Sequence, residues 1–103
     1  MNKMKIRIQN NTLRVRLNEG EVSSLLQGQV LKSQTWFPGN ILNFTLAADQ
    51  NSTADFVANE VKIKVNMKEV EHWAKSDEVT IAMEFHTSND EKLSILVEKD
   101  MKI

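Results

Sequence analysis

The stretch Asn59–Phe85, NEVKIKVNMKEVEHWAKSDEVTIAMEF, decides how the rest of the chain is read. Val61, Ile63 and Val65 alternate with Lys62 and Lys64, the two-residue period of a half-buried strand. Asn66 stands three residues before Glu69, the spacing of a capping box with asparagine as the cap. Met67, Val70, Trp73 and Ala74 follow at helical spacing, which predicts a short helix with one apolar face and Trp73 in the core. Ser76-Asp77-Glu78 breaks the helix, and Val79, Ile81, Met83 and Phe85 restart the two-residue period.

The same pattern stands forty-eight positions earlier. Leu13, Val15 and Leu17 match Val61, Ile63 and Val65, while Arg14 and Arg16 match Lys62 and Lys64. Asn18 and Glu21 match Asn66 and Glu69, so the cap residues repeat as well as the apolar period. Val22, Leu25 and Leu26 form the buried stripe of the first helix, and Gly28 is its stop. Around these helices lie further strands. Lys5 to Gln9 alternates and turns at Asn10-Asn11; a strand from about Gln29 to Phe37 turns at Pro38-Gly39-Asn40 into one carrying Leu42, Phe44 and Leu46. After the polar run Asp49–Thr53 comes a short strand, Ala54 to Ala58, with a turn near Asn59-Glu60. Thr87–Glu91 is a hairpin loop before Leu93, Ile95 and Val97, and Met101 and Ile103 could extend that last alternation.

This predicts one α+β domain over residues 1–103, built from two pseudo-repeated β-β-α-β-β units at about 4–47 and 54–100. Helices this short need a sheet to pack on. Eight short strands are expected to form a mainly antiparallel sheet, strongly curved or barrel-like. Two capped amphipathic helices after alternating strands also look alike by physics alone, which is the plainer account of the repeat.

Composition narrows the function. A chain of 103 residues, 41% hydrophobic and 26% charged, buries a core without staples. The absence of cysteine excludes disulfides, thiolate zinc sites and cysteine nucleophiles. A formal net charge of −1 predicts no global attraction to nucleic acid or acidic membranes. No membrane span and no apolar signal region are legible, so a cytoplasmic location is expected, and the three sequons at Asn10, Asn43 and Asn51 read as chance.

Met4-Lys5-Ile6-Arg7-Ile8, Leu13-Arg14-Val15-Arg16-Leu17, Glu21-Val22, Trp73-Ala74 and the closing Leu93–Asp100, with Ile95-Leu96-Val97-Glu98-Lys99-Asp100 the most specific, carry a further signal. In this order they resemble a family of small bacterial proteins with no assigned function. The resemblance spans nearly the whole chain. It implies a fold and lends no mechanism; the cysteine and acidic tail that often follow this motif in such proteins have no counterpart here.

Candidate chemistry centres on the first hairpin. A two-residue turn at Asn10-Asn11 sets Arg7 opposite Arg14 and Lys5 opposite Arg16, all on the side away from the core. Like charges directly opposite are unfavourable by some tenths of a kcal/mol, which makes this a candidate anion-binding face. Lys62 and Lys64 would join it if the repeated strands were neighbours, with Asp55 relieving Lys62. The plainer reading is a solvated edge face balanced by Glu19, Glu21, Glu84 or Glu98, its charge discouraging sheet aggregation.

Trp36, turned outward while alternation buries Phe37, is a candidate interface residue for a protein partner or a homodimer; capping a barrel end is the duller role. His72 is read as exposed, and His86 with Glu84 lacks a third metal ligand. No Gly-rich phosphate loop, nucleophile elbow or paired-histidine helix is present, so no catalytic residue, metal ligand or cofactor is assigned. The alternative is a metal-dependent phosphate- or polyphosphate-handling enzyme of the β-tunnel type, which basic strands and a repeated sheet resemble at fold level only. Such enzymes need alternating glutamates on the first strand, and Lys5–Gln9 has none. The expected function is therefore a small non-enzymatic binding or interaction module for an anionic ligand or a protein partner.

Overall fold

Tight connections fold the chain into four hairpins. The structure, a computed structural model, describes residues 4–100. The strands β1 (Lys5–Gln9) and β2 (Thr12–Leu17) join through Asn10-Asn11, with Asn10 in the left-handed region at φ +50°. Helix α1 (Glu19–Leu26) leads to β3 (Leu31–Phe37), which turns at Pro38-Gly39 into β4 (Asn40–Asp49). Proline fixes the first turn residue, and Gly39 supplies φ +80° at the second, where a side chain would be strained. The third hairpin, β5 (Thr53–Val57) and β6 (Glu60–Asn66), turns at Ala58-Asn59, one residue earlier than the sequence suggests, with φ +51° and +67°. Helix α2 (Met67–Lys75) then leads to β7 (Thr80–His86) and β8 (Lys92–Lys99).

Both helices are defined at their ends by the residues the spacing picks out. Asn18 Oδ1 accepts from Glu21 N at 2.8 Å, and the Glu21 carboxylate accepts from Asn18 N at 3.0 Å. Past Gln27, Gly28 at φ +85° lets Gly28 N donate to Leu25 O (3.1 Å) and Gln29 N to Ser24 O (3.0 Å), a Schellman stop. At α2, Asn66 Oδ1 accepts from Lys68 N (2.9 Å) and Glu69 N (3.3 Å), while its amide donates to Gln50 O (2.8 Å).

The strands form two four-stranded sheets, not one closed barrel: the first in the order β1-β2-β8-β7, the second β3-β4-β6-β5. Each takes one hairpin from each half of the chain. The hairpin ladders are antiparallel, but the central pairs β2·β8 and β4·β6 run parallel. Each parallel ladder begins at an asparagine carbonyl after a hairpin turn: Ser94 N donates to Asn11 O at 3.0 Å and Asn43 N to Asn59 O at 2.8 Å. Hairpin periodicity dictates which residues share a face, but the partner of β2 lies some eighty residues away and leaves no local signal.

One core joins both sheets and both helices. Leu13, Val15 and Leu17 of β2 meet Ile95 and Val97 of β8 on the inner face of the first sheet; Phe44, Leu46, Ile63 and Val65 do the same on the second. The helices pack on each other, and each touches strands of both sheets. Trp73 is fully buried, as its helical spacing requires; its indole N–H donates to Val79 O at 2.8 Å, and Lys99 Nζ stands 5.6 Å from the ring centroid. Phe37 departs from expectation. It shares the inner face with Leu31, yet is 54% exposed where it ends β3 beside the Pro38-Gly39 turn. The proposed extension through Met101 and Ile103 lies outside the described residues.

Candidate anion-binding face

The register of the first hairpin brings four cationic side chains to one face. Arg7 pairs with Arg14 and Lys5 with Arg16, as the two-residue turn requires, and alternation sets all four opposite the inner residues Ile6, Leu13, Val15 and Leu17. A shallow concavity of about 120 Å³ is lined by Lys5, Ile6, Arg7, Arg14 and Arg16. Lys62 and Lys64 do not join them. Their strand β6 belongs to the second sheet, where Lys62 pairs in register with Asp55 and Lys64 Nζ lies 3.4 Å from Asp49.

The carboxylate that balances this face comes from the parallel neighbour. Arg16 stands beside Glu98 in the β2·β8 ladder, and Glu98 Oε1 lies 3.7 Å from both Arg14 Nε and Arg16 Nη2. That separation is an ion pair without hydrogen-bond contact, so the forked guanidinium donors are not engaged by it. Glu98 is 16% exposed and each arginine 40%, so the acid sits lower in the face than the bases around it. Lys5 and Arg7 have no ion pair among the described residues. Of the acids proposed to balance the hairpin, Glu98 lies within ion-pair range of Arg14 and Arg16, and Glu21 takes part in the α1 capping box.

The corresponding face of the second sheet is neutralised differently. Asp49 accepts from Gln50 N at 2.7 Å, and that bond, followed by Lys64, holds its carboxyl below the ordinary aspartate value. Thr45 Oγ1, buried, donates to Glu60 at 3.1 Å. Trp36, 75% exposed, stands on this same outer face opposite Ile41. The two hydrophobic residues with equal or near-equal exposure, Phe56 and Val57 at 70%, lie on β5, and nothing in the sequence reading singled them out.

His72 is exposed and within 3.2 Å of Glu78, and His86 is exposed at the end of β7. Among the described residues no three histidine, aspartate or glutamate side chains converge to hold a metal ion. No helix among them is long and apolar enough to cross a membrane. A larger groove, about 880 Å³, opens where α1, the end of α2 and β8 meet, with Val22, Leu26, Ala74, Lys99 and Asp100 on its walls.

Residues 4–103 match the model of a family of unknown function, DUF7009, over the same span as the resemblance read from the sequence. No curated protein matches the chain.

Proposed function

We propose that this chain, which belongs to the DUF7009 family, is a non-enzymatic binding module whose ligand is an anion held on the outer face of the β1–β2 hairpin. One observation carries the reading: four cations share the outer face of the hairpin with no acid on either strand, and the neighbouring Glu98 of β8 stays 3.7 Å from Arg14 and Arg16. A sheet face needing only solubility would intersperse signs, as β5 and β6 do with Asp55, Lys62, Lys64 and Asp49. Arginine forks with free donors suit phosphate or carboxylate oxygens. The reading includes an ancestral duplication, supported by the repeated caps Asn18 and Asn66 and by the two parallel ladders starting at Asn11 and Asn59. Duplication explains why the two outer faces can diverge while both inner faces stay apolar. It also includes a cytoplasmic setting and a protein contact at Trp36, for which its 75% exposure is the support.

Titration calorimetry with inorganic phosphate, tripolyphosphate and ATP, each with and without Mg²⁺, tests the reading. Binding that weakens with salt, needs no metal and is lost in Arg7→Glu/Arg14→Glu is the expected result. That double variant keeps a like-charge pair across the strands, so its fold should survive and circular dichroism checks it. Absence of binding, or binding equal in both proteins, overturns it. Binding that requires Mg²⁺ with turnover of the triphosphate would favour a phosphate-handling enzyme instead.

A further inference from the structure

We infer that β1 and β5 are complementary edges, and that copies of this chain associate head to tail by β1 of one copy pairing antiparallel with β5 of the next. Both are outermost strands, one in each sheet, and both are five residues long. An outermost strand presents a row of unpaired backbone N–H and C=O groups, which proteins normally blunt with lysine, proline or a bulge. The β5 sequence Thr53-Ala54-Asp55-Phe56-Val57 has neither lysine nor proline, and leaves Phe56 and Val57 each 70% exposed.

The side-chain patterns of the two edges fit. On the inner side β1 carries Ile6 and Ile8, the latter 63% exposed, and β5 carries Ala54 and Phe56. On the outer side β1 carries Lys5 and Arg7, and β5 carries Asp55. An antiparallel register that sets Arg7 opposite Asp55 also sets Ile6 opposite Phe56 and Ile8 opposite Ala54. Lys5 then lies diagonal to Asp55, no like charges oppose, and all five residues of each strand are used.

Charge also decides against self-pairing of either edge. The full-length antiparallel pairing of two β1 strands puts Arg7 against its own copy, and the full-length β5 self-pairing puts Asp55 against its own copy. The edge strand β7 offers Glu84, but its inner residues Ile81 and Met83 are already buried, so it has little apolar surface to give. The edge pairing shares Lys5 and Arg7 with the ligand reading, but it also needs Asp55 and Phe56 of β5, which lie in the other sheet and outside the concavity. A contact of one strand pair falls below the roughly 1,200 Å² of stable complexes and is therefore transient. Being heterologous, it grows past the dimer unless the arrangement closes into a ring.

Sedimentation velocity of the full chain, from about 10 μM to about 1 mM and at low and high salt, reads the association directly. The average mass should rise with concentration at low salt, and stay monomeric in Arg7→Asp and in Asp55→Arg. It should rise again in the charge-swapped Arg7→Asp/Asp55→Arg, and be unaffected by Glu84→Arg. Circular dichroism confirms that each variant is folded, and restoration in the double swap separates a lost contact from a damaged fold. A monomer at every concentration, association indifferent to both single swaps, or failure of the double swap to restore it would overturn the inference. Asp55→Arg leaves the anion face untouched, so it should abolish association and keep phosphate binding, whereas Arg14→Glu should weaken phosphate binding and keep association; each reading can fail without the other.

Discussion

Replacing Glu98 with glutamine separates a ligand site from a merely balanced surface. The carboxylate sits 3.7 Å from both Arg14 and Arg16 on side chains that are 40% exposed. Exposed ion pairs contribute about 0.2–1 kcal/mol each, and uncovering the like-charged arginines adds some tenths, so the variant should lose about 1 kcal/mol. For a domain of this size that is a fall in Tm of about 4–8 °C. Anion binding should move the other way. A carboxylate about 7 Å from a phosphate held over the arginines repels it by about 1 kcal/mol at an effective dielectric near 45. Screening at physiological salt roughly halves this, leaving about a twofold gain in tripolyphosphate affinity, growing to about fourfold at 10 mM salt. Calorimetry at both salts measures it, with Asp49→Asn on the other sheet as a charge-matched control that should leave affinity unchanged. If Glu98→Gln lowers stability yet leaves affinity equal or weaker, the acid belongs to the structure alone and the anion site is refuted.

Trp73→Phe should cost about 2–3 kcal/mol by urea denaturation, since it creates a void and leaves the Val79 carbonyl without the indole donor at 2.8 Å. A loss under 1 kcal/mol would mean that the bond matters little. Asn18→Ala should cost about 1 kcal/mol, and Asn66→Ala more, because Asn66 caps two N–H groups and also bonds Gln50 O. Equal losses would show that the link to the Asp49–Ser52 bend contributes nothing. The depressed carboxyl of Asp49 stabilises the fold above the ordinary aspartate value and loses that effect as pH falls through its lowered one. The stability gap between the wild-type chain and Asp49→Asn should therefore narrow in acid, as acid titration of the folded fraction would read.

What could be read in the sequence was whatever is fixed within a few residues. The Asn10-Asn11 turn determines the whole β1·β2 register, so the opposition of Arg7 with Arg14 follows without knowing anything else about the fold. Asn18, Glu21 and Gly28 mark the ends of α1 for the same reason: each bond spans one turn. Non-local pairing is different. Nothing near β2 specifies that β8 will lie beside it, or that β6 will lie in another sheet, and so Lys62 and Lys64 could not be separated from the hairpin cations in advance. Phe37 shows a second kind of blindness. Alternation states the side a residue faces; whether anything covers that side depends on non-local packing, which it does not carry.

The two sheets contrast most on their outer faces. Both inner faces bury aliphatic residues in matching positions, as a common core demands. The outer faces meet no such demand, and they differ in a directed way. One pairs Lys64 with Asp49 and aligns Lys62 with Asp55. The other repeats cations across the strand pair, where each like-charged opposition weakens the hairpin by some tenths of a kcal/mol. A single acid would relieve that repulsion at Arg7, as Asp55 does at the position forty-eight residues on. Keeping arginine there trades a little stability for a concentration of positive charge, and it is that trade, more than the charge itself, that argues for a ligand.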